Sequence, residues 1–342
     1  MSSKLLFISI ILLNIIMLIY YLKLKENFTD TKIFSKNNKL NSVLNKYNLF
    51  FQYPARTEEI CYIQNKDKQH YLGIPWATII DKKMGTIFLE EFKKINISGN
   101  NISSCQHIHY KKIIPLAKQL NIKTLYISHK EKGVDYINGI ILKPLPIYAV
   151  TFEESDKNSI FKDKDLLNHK REYLFSFIGA TNLNNYISDI RKNIYNYRNN
   201  FKSKNIIEDT KTWHFGKKVY LEQVKNKKIS KSEENENKKK TDNFNKILLN
   251  SRYSLCPPGA GPNTIRLWES LAVGAIPVLL ADTLELPDHK LWNEAIVIID
   301  EKNYKNIEKI LVSISKKNEN TMRQNCLKIY EDIKNNFHLN KL

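Results

Sequence analysis

The sequence predicts an α/β protein of two domains, each built on a largely parallel sheet. Three observations carry that reading. The 342 residues are about twice the ~150 expected of one domain, and 42% of them are apolar or aromatic, enough to fill more than one core. Short apolar runs that read as strands alternate with stretches of helical period, the pattern of βαβ units. A charged, aperiodic stretch at residues 151–170 separates an upstream set of such runs from a downstream set, as an interdomain linker would.

Taken in order, the chain opens on LLFISIILLNIIMLIYYL, residues 5–22, which carries no charge and only Ser9 and Asn14 as clearly polar members. Eighteen such residues are just enough for a helix to cross ~30 Å of hydrocarbon. Tyr20, Tyr21 and Lys23 stand where a small-residue cleavage site would follow, so residues 1–26 read as an uncleaved membrane anchor, not a removed signal. Lys4 on one flank and Lys23 and Lys25 on the other leave its orientation open. Residues 27–50 are polar and mixed, as a stem would be. Asn-x-Ser/Thr triplets at Asn27, Asn96 and Asn101 fit a lumenal or extracellular body, although an Asn-rich chain produces such triplets readily.

Residues 51–150 form the predicted first domain, with GIPWATII (73–80), KTLYIS (123–128) and GIILKPLPIYAV (139–150) as strands and YKKIIPLAKQL (110–120) as a helix. Residues 171–342 form the second. There REYLFSFIGA (171–180) reads as a strand, YISDIRKNIYNYRNNF (186–201) as a helix, and residues 225–245, low in complexity, as a mobile surface loop. The net charge of +19, from 54 Lys and Arg against 35 Asp and Glu, invites a nucleic-acid partner. Yet the lysines are scattered and rise together with Asn and Ile, as AT-rich coding produces, so a soluble basic surface with no nucleic-acid partner is the expectation. Four cysteines show no metal-ligand spacing; Cys61 and Cys105 either pair in an oxidising compartment or remain buried thiols.

The most informative segment is SRYSLCPPGAGPNTIRLWESLAVGAIPVLLAD, residues 251–282, in a chain with only ten Gly and ten Pro. RYSLC reads as a buried strand that PPGAGPN cannot continue. Asn263 or Thr264 then caps a helix with Ile265, Leu267, Trp268, Leu271 and Ala272 as its apolar faces, ending at Gly274, and AIPVLLAD returns as a strand. Gly259 and Gly261 let a ligand approach the backbone, and the free N–H groups of a helix start favour phosphate. Arg266, in the first turn, can neutralise a diphosphate. Glu269 and Ser270, three and four residues on, share its face, where a carboxylate can accept hydrogen bonds from two ribose hydroxyls. The residues alone leave this cradle beside an ordinary Gly/Pro loop with an i,i+3 surface pair, since neither GxGxxG nor a Walker pattern is present.

The stretch SLCPPGAGPNTIRLWESLAVGAIPVLLADTLELP (254–287) resembles the C-terminal signature of exostosin-like glycosyltransferases: a strand ending Leu-Cys-Pro, a glycine turn, an Arg-x-x-Glu helix and a Gly-x-Ile-Pro-Val strand. KREYLFSFIGA, DIRKNI and LWNEAIVIIDEKNYKNIEKIL extend the resemblance, and YLGIPWATIID, CQHIHY and PLPIYAV fit it less specifically, so that it covers most of residues 70–315. The resemblance implies a GT-B fold, two Rossmann-like domains facing a cleft with the donor held by the second. It implies inverting transfer from a nucleotide sugar, usually a UDP-sugar, to a glycan or glycoconjugate acceptor, with no obligatory metal or other cofactor. It also implies that Arg266 meets the diphosphate and Glu269 the ribose, with Gly259, Gly261, Asn263 and Thr264 lining the approach. The expected setting is a single-pass protein of a secretory-pathway membrane with a lumenal body.

An inverting transfer needs a base to take the acceptor's proton. Asp81, His107, His109 and His129, after candidate strands of the first domain, all qualify, because ligands meet open α/β sheets at strand ends. Gly179, with Ala180 and Thr181, either abuts a substrate or makes a plain turn. Arg191 either faces the cleft or pairs with Asp189 or a neighbour at the surface, the surface being the expectation. Trp213 and Phe215 either line a sugar subsite by stacking or lie in the core, the core being the expectation, and the Asp163-Lys-Asp165 triplet reads as chance, not a metal clamp. Two rival readings remain: a non-catalytic nucleotide- or carbohydrate-binding protein of the same fold, and a basic nucleic-acid-binding protein.

Overall fold

Two sheets organise the chain. The computed structural model describes residues 34–213 and 215–334. The expected anchor at 1–26 and Asn27 lie outside the described residues; among those described, no helix is long and apolar enough to cross a membrane. Twelve helices are used below: α1 Asn38–Lys46, α2 Thr57–Asn65, α3 Trp76–Asp81, α4 Gly85–Lys93, α5 Ile114–Gln119, α6 Val150–Glu153, α7 Ile190–Tyr197, α8 Lys231–Leu249, α9 Ile265–Val273, α10 Trp292–Ala295, α11 Ile307–Ser313 and α12 Lys316–Lys334.

The first sheet contains β1 Asn101–Cys105, β2 Ile122–Ile127, β3 Tyr136–Ile137 and β4 Ile140–Pro144, in the order β1-β2-β4-β3. Its first three neighbours run parallel and the short β3 closes the edge antiparallel. The second contains β5 Tyr173–Gly179, β6 Asn205–Asp209, β7 Ser251–Cys256, β8 Ile276–Leu279 and β9 Val297–Ile298, all parallel, in the order β6-β5-β7-β8-β9. Parallel strands covered by helices on both faces are apolar throughout, as Phe175, Phe177, Tyr253 and Leu255 are in β5 and β7. Trp268 and Leu271 of α9 complete that core, and Gly274 ends the helix at φ +69°, a left-handed conformation that suits glycine. These parallel α/β sheets fit a GT-B type fold.

Several sequence expectations change here. Residues 73–80 are not a strand: Pro75 sits at the N-cap of α3, and Trp76, Ala77 and Ile79 are all buried, so the apolar run carries no period. The strand lies instead at β1, whose sequence NISSC looks polar because its serines are spent inside the protein. Trp76 Nε1 donates to Ser103 Oγ at 2.9 Å, and the hydroxyls of Tyr71 and Ser104 lie 2.8 Å apart. The expected strand at 139–150 ends at Pro144. Asn101 is buried in β1 with its amide donating to Leu120 O at 2.8 Å, which leaves no room for a glycan. All four cysteines are free and buried.

Nor is 225–245 a loop. Most of it lies in α8, opened by a capping box in which Ser230 and Glu233 satisfy each other's backbone N–H. Glu236 and Lys240 pair one turn apart, and the last turns bury Ile247, Leu248 and Leu249. A low-complexity exposed half is thus anchored by an apolar end. Replacing Ser230 by Ala should lower stability by about 1 kcal/mol. Urea unfolding would register this as a lower midpoint at unchanged slope, and an unshifted midpoint would contradict the capping role.

Candidate active site

In the second sheet the chain moves from β5 outward to β6, then returns to the other side of β5 for β7. Such a reversal is a switch point, here beyond Gly179 of β5 and Cys256 of β7, the place where open α/β sheets bind ligands. Two guanidinium groups converge on it. Arg191, in the first turn of α7, donates from Nε to Pro258 O at 2.7 Å and from Nη2 to Pro257 O at 3.2 Å, and from Nη1 to Ala180 O at 3.3 Å. Arg266, in the first turn of α9, lies 4.4 Å over the Phe177 ring and donates from Nη2 to Ile178 O, while its buried Nη1 has no partner.

Both arginines are buried, at 9% and 8% exposure, so Arg191 is no surface residue and does not pair with Asp189. Among the described residues, neither guanidinium has a carboxylate within ion-pairing distance. Burial, and then the neighbouring Arg191 charge, push the Arg266 pKa down to about 10; burial likewise lowers that of Arg191. Both remain cationic at neutral pH. Two desolvated positive charges satisfied chiefly by carbonyl dipoles are costly, and an anion between them would offset that cost.

The remaining residues of the Gly/Pro segment divide. Thr264 occupies the N-cap position of α9 without a side-chain cap, which leaves the first-turn N–H groups free of a side-chain acceptor. Glu269 is buried three residues beyond Arg266 and accepts from Thr151 N at 3.1 Å; burial raises its pKa. Gly179 and Gly259 lie close to the two guanidiniums: a Cβ at these positions would come within 3.0 Å of Arg266 Nη2 and 3.1 Å of Arg191 Nη2. Ser270 does not share the site. It is wholly buried with its hydroxyl 4.0 Å from Cys256 Sγ, on the face turned to the sheet. Asn263 is a strut: its Oδ1 accepts from Trp268 Nε1 at 2.9 Å and its Nδ2 donates to Ser128 O at 2.6 Å, across to the first sheet.

That first sheet forms the opposite wall, again with its carboxyl ends. His107 follows β1 and His129 follows β2. Asp81, at the end of α3, joins them: its Oδ1 is 3.0 Å from His107 Nε2, and its Oδ2 accepts from Gln52 Nε2 at 2.7 Å. Because His107 Nδ1 accepts the His109 amide at 3.0 Å, its proton sits on Nε2, facing Asp81. Burial would raise the Asp81 pKa, but His107 and Gln52 outweigh it and hold the carboxyl below its ordinary range. His109 is exposed, and partial burial with the His107 charge lowers its pKa. His129 is buried with an unpartnered Nδ1, and burial above all, then the two other histidines, push its pKa down to about 3.

His129 also explains Gly261. A side chain there would collide with the His129 ring and come within 2.9 Å of Ile108 Cγ2, so what approaches this glycine is the opposite wall. All four candidate bases therefore gather in one cluster facing the Gly/Pro loop. Sequence reasoning preferred the surface to the cleft for Arg191; the signal for the inner position was a basic residue opening the first helix after β5, which borders the switch point. Trp213 is partly exposed while Phe215 is buried, so only one of the pair is core. Asp163 and Asp165 are exposed in a local turn, Asp165 accepting from Asn168 N at 3.1 Å.

Comparison with known proteins bears on this arrangement. Residues 115–314, more than half of the chain, match the family described as the Exostosin GT47 domain. Exostosin-1 homolog of Caenorhabditis elegans is 28% identical over 90 residues, 26% of this chain and 24% of that protein. Exostosin-1c of Danio rerio is 33% identical over 135 residues, 39% of this chain and 17% of that protein. A probable beta-1,4-xylosyltransferase of Arabidopsis thaliana is 41% identical over 64 residues, 18% of this chain and 15% of that protein. The chain thus spans a quarter or less of the length of these relatives.

The buried histidine generates a pH prediction. Unfolded, His129 takes a proton below its ordinary 6.5; folded, it refuses one down to about 3. Its depressed folded value leaves stability intact above 6.5 and removes up to about 1.4 kcal/mol per pH unit below it. Urea unfolding at pH 7.5 and 4.5 should show His129→Gln losing about 2 kcal/mol less than the wild type over that interval. Equal losses would show that the imidazole is not held neutral.

Proposed function

The chain belongs to the exostosin GT47 domain family, and from that premise we propose that it is a glycosyltransferase moving a sugar from a nucleotide sugar, a UDP-sugar in our reading, to a glycan or glycoconjugate acceptor. The observation that carries this is the pair of buried guanidiniums, Arg191 and Arg266, at the β5/β7 switch point, with no carboxylate of the described residues within ion-pairing distance to neutralise them. A nucleoside diphosphate has the charge and size to do so. In this reading the diphosphate rests between the two arginines and the uncapped start of α9, and Glu269 accepts the ribose hydroxyls. These groups supply the positive charge that stabilises the leaving diphosphate, so the reading assigns that step to no metal. Gly179, Gly259 and Thr264 border the donor.

The acceptor's hydroxyl attacks the anomeric carbon from the opposite wall and loses its proton there. We assign that proton to His109. Its lowered pKa keeps it neutral at pH 7, and it is exposed, whereas both nitrogens of His107 are engaged and His129 is enclosed. Asp81 and His107 orient the cluster. We further read residues 1–26 as an anchor that holds the body in the lumen of a secretory-pathway membrane.

Calorimetric titration with UDP tests the donor site directly. Arg266→Ala and Arg191→Ala should each weaken UDP binding at least about tenfold and reduce transfer about a hundredfold, in keeping with loss of a charge-assisted contact to a leaving group. His109→Ala should leave UDP affinity intact while lowering turnover. Wild-type affinity for UDP in both arginine variants would sink the donor assignment. UDP binding with no turnover from any donor would favour a non-catalytic nucleotide-binding protein.

A further inference from the structure

A π-helix, Lys217–Val224, projects from the second sheet's side of the molecule and packs on α3 of the first. Helices of this type are rare and occur mainly at functional sites. Gln223 clamps it to the first unit, accepting from Tyr53 N at 3.0 Å and donating to Tyr53 O. The Tyr53 hydroxyl donates to Glu222 at 2.9 Å. These contacts fix the helix that carries Tyr220, whose ring meets that of Trp213. Trp213 is 38% exposed, Tyr220 43% and Tyr53 41%, and the Trp213 and Tyr220 ring centroids are 5.8 Å apart.

Rings of this size are normally buried, and a group of them left in water marks a binding surface. Two features indicate what it binds. First, it adjoins the acceptor wall: Gln52, the residue before Tyr53, holds Asp81 at 2.7 Å, and the Asp81 charge adds to burial in raising the Tyr220 hydroxyl's pKa. Second, its charges are spent. Lys218 pairs with Glu222 at 2.6 Å, Lys217 with Glu233 at 2.8 Å and Lys211 with Asp209 at 2.7 Å, so these three lysines beside the rings are each neutralised by a carboxylate. Flat rings with polar edges and no net charge complement a pyranose, whose C–H face lies on the electron-rich ring while its hydroxyls reach the surrounding amides and carboxylates.

Resting on the glycosyl-transfer reading, we propose that Trp213 and Tyr220 form a stacking platform that holds uncharged sugar rings of the acceptor chain beside the histidine cluster. The chain has four tryptophans. Trp76 and Trp268 are fully buried and Trp292 is 8% exposed, so Trp213 is the one whose emission a surface ligand would change.

The test titrates the full chain with two neutral probes, xylohexaose and cellohexaose, and with hexagalacturonate as an acidic control, following tryptophan emission. At least one neutral probe should shift the emission, Tyr220→Ala should weaken its binding at least fivefold, and Tyr220→Phe, which keeps the ring, should restore it. UDP affinity, measured on the same samples, should be the same in all three proteins, which also verifies that the variants are folded. No shift with either neutral probe, undiminished binding by Tyr220→Ala, or tighter binding of the acidic hexamer overturns the platform. If UDP binds in an Arg266-dependent way while these outcomes appear, the platform alone fails; if UDP does not bind, the donor reading fails.

Discussion

The placement of two arginine charges inside the protein, without acids to pair them, is the constraint on which the second half of the chain turns. Burying a guanidinium among carbonyl dipoles costs several kcal/mol, and a fold accepts it only where the surroundings fix the geometry. They do so here. Arg191 is held by the carbonyls of Ala180, Pro257 and Pro258, and Arg266 by Ile178 and the Phe177 ring, all at the carboxyl ends of β5 and β7. Strand order sets these ends at a switch point, where the loop after Cys256 folds over them with Pro257, Pro258 and Gly259 buried. The prolines that interrupt the ladder after Cys256 thereby serve as acceptors for Arg191, tying the break in the strand to the charge beside it.

The two walls are held in fixed register by direct contacts between the sheets' carboxyl ends. Asn263 reaches Ser128, and Gly261 yields its space to His129. A short antiparallel bridge joins Glu131 to Leu284, and the buried Lys130 donates to Asp135 at 2.8 Å and Glu285 at 2.7 Å. Because the lysine is fully desolvated and both its partners are carboxylates, either partner's loss would leave a costly remainder. Residues 128–131 thus do two jobs: they continue β2 into the histidine cluster, and they latch onto the segment after β8.

Legibility in the sequence followed the type of physical signal. Where a strand buried large apolar side chains in succession, as β2 does with Leu125 to Ile127 and, around a serine each, β5 with Leu174 to Phe177 and β7 with Tyr253 to Cys256, composition located it. Where burial was achieved by hydrogen-bonded serines, as in β1, no apolar signal existed, and where consecutive residues of a short helix were buried, as Trp76 to Ile79 are in α3, period and strand could not be told apart. Helix α8 shows the opposite case, since Ser230 and Glu233 spelled out a capping box that the surrounding Lys/Asn/Glu composition obscured. Within the site, Arg266 and Glu269 were legible because a glycine turn precedes them at helix spacing. Arg191 was not, because its partners are backbone carbonyls some 66 residues away in sequence, which no local pattern encodes.

Electrostatically the cleft is asymmetric, and the asymmetry suits two different tasks. On the arginine side positive charge is concentrated and desolvated, where attraction for a leaving anion is strongest. On the opposite side burial keeps His129 neutral down to about 3, and partial burial lowers His109. Were these histidines cationic, they would compete for the anion and offer no lone pair to a hydroxyl proton. Neutral imidazoles do neither, and Asp81, held ionised by His107 and Gln52, puts a negative charge at the place where positive charge would arise on proton uptake. On the proposed reading, positive potential for the donor and proton affinity for the acceptor lie on opposite sides of the loop at Gly261, where the two walls meet.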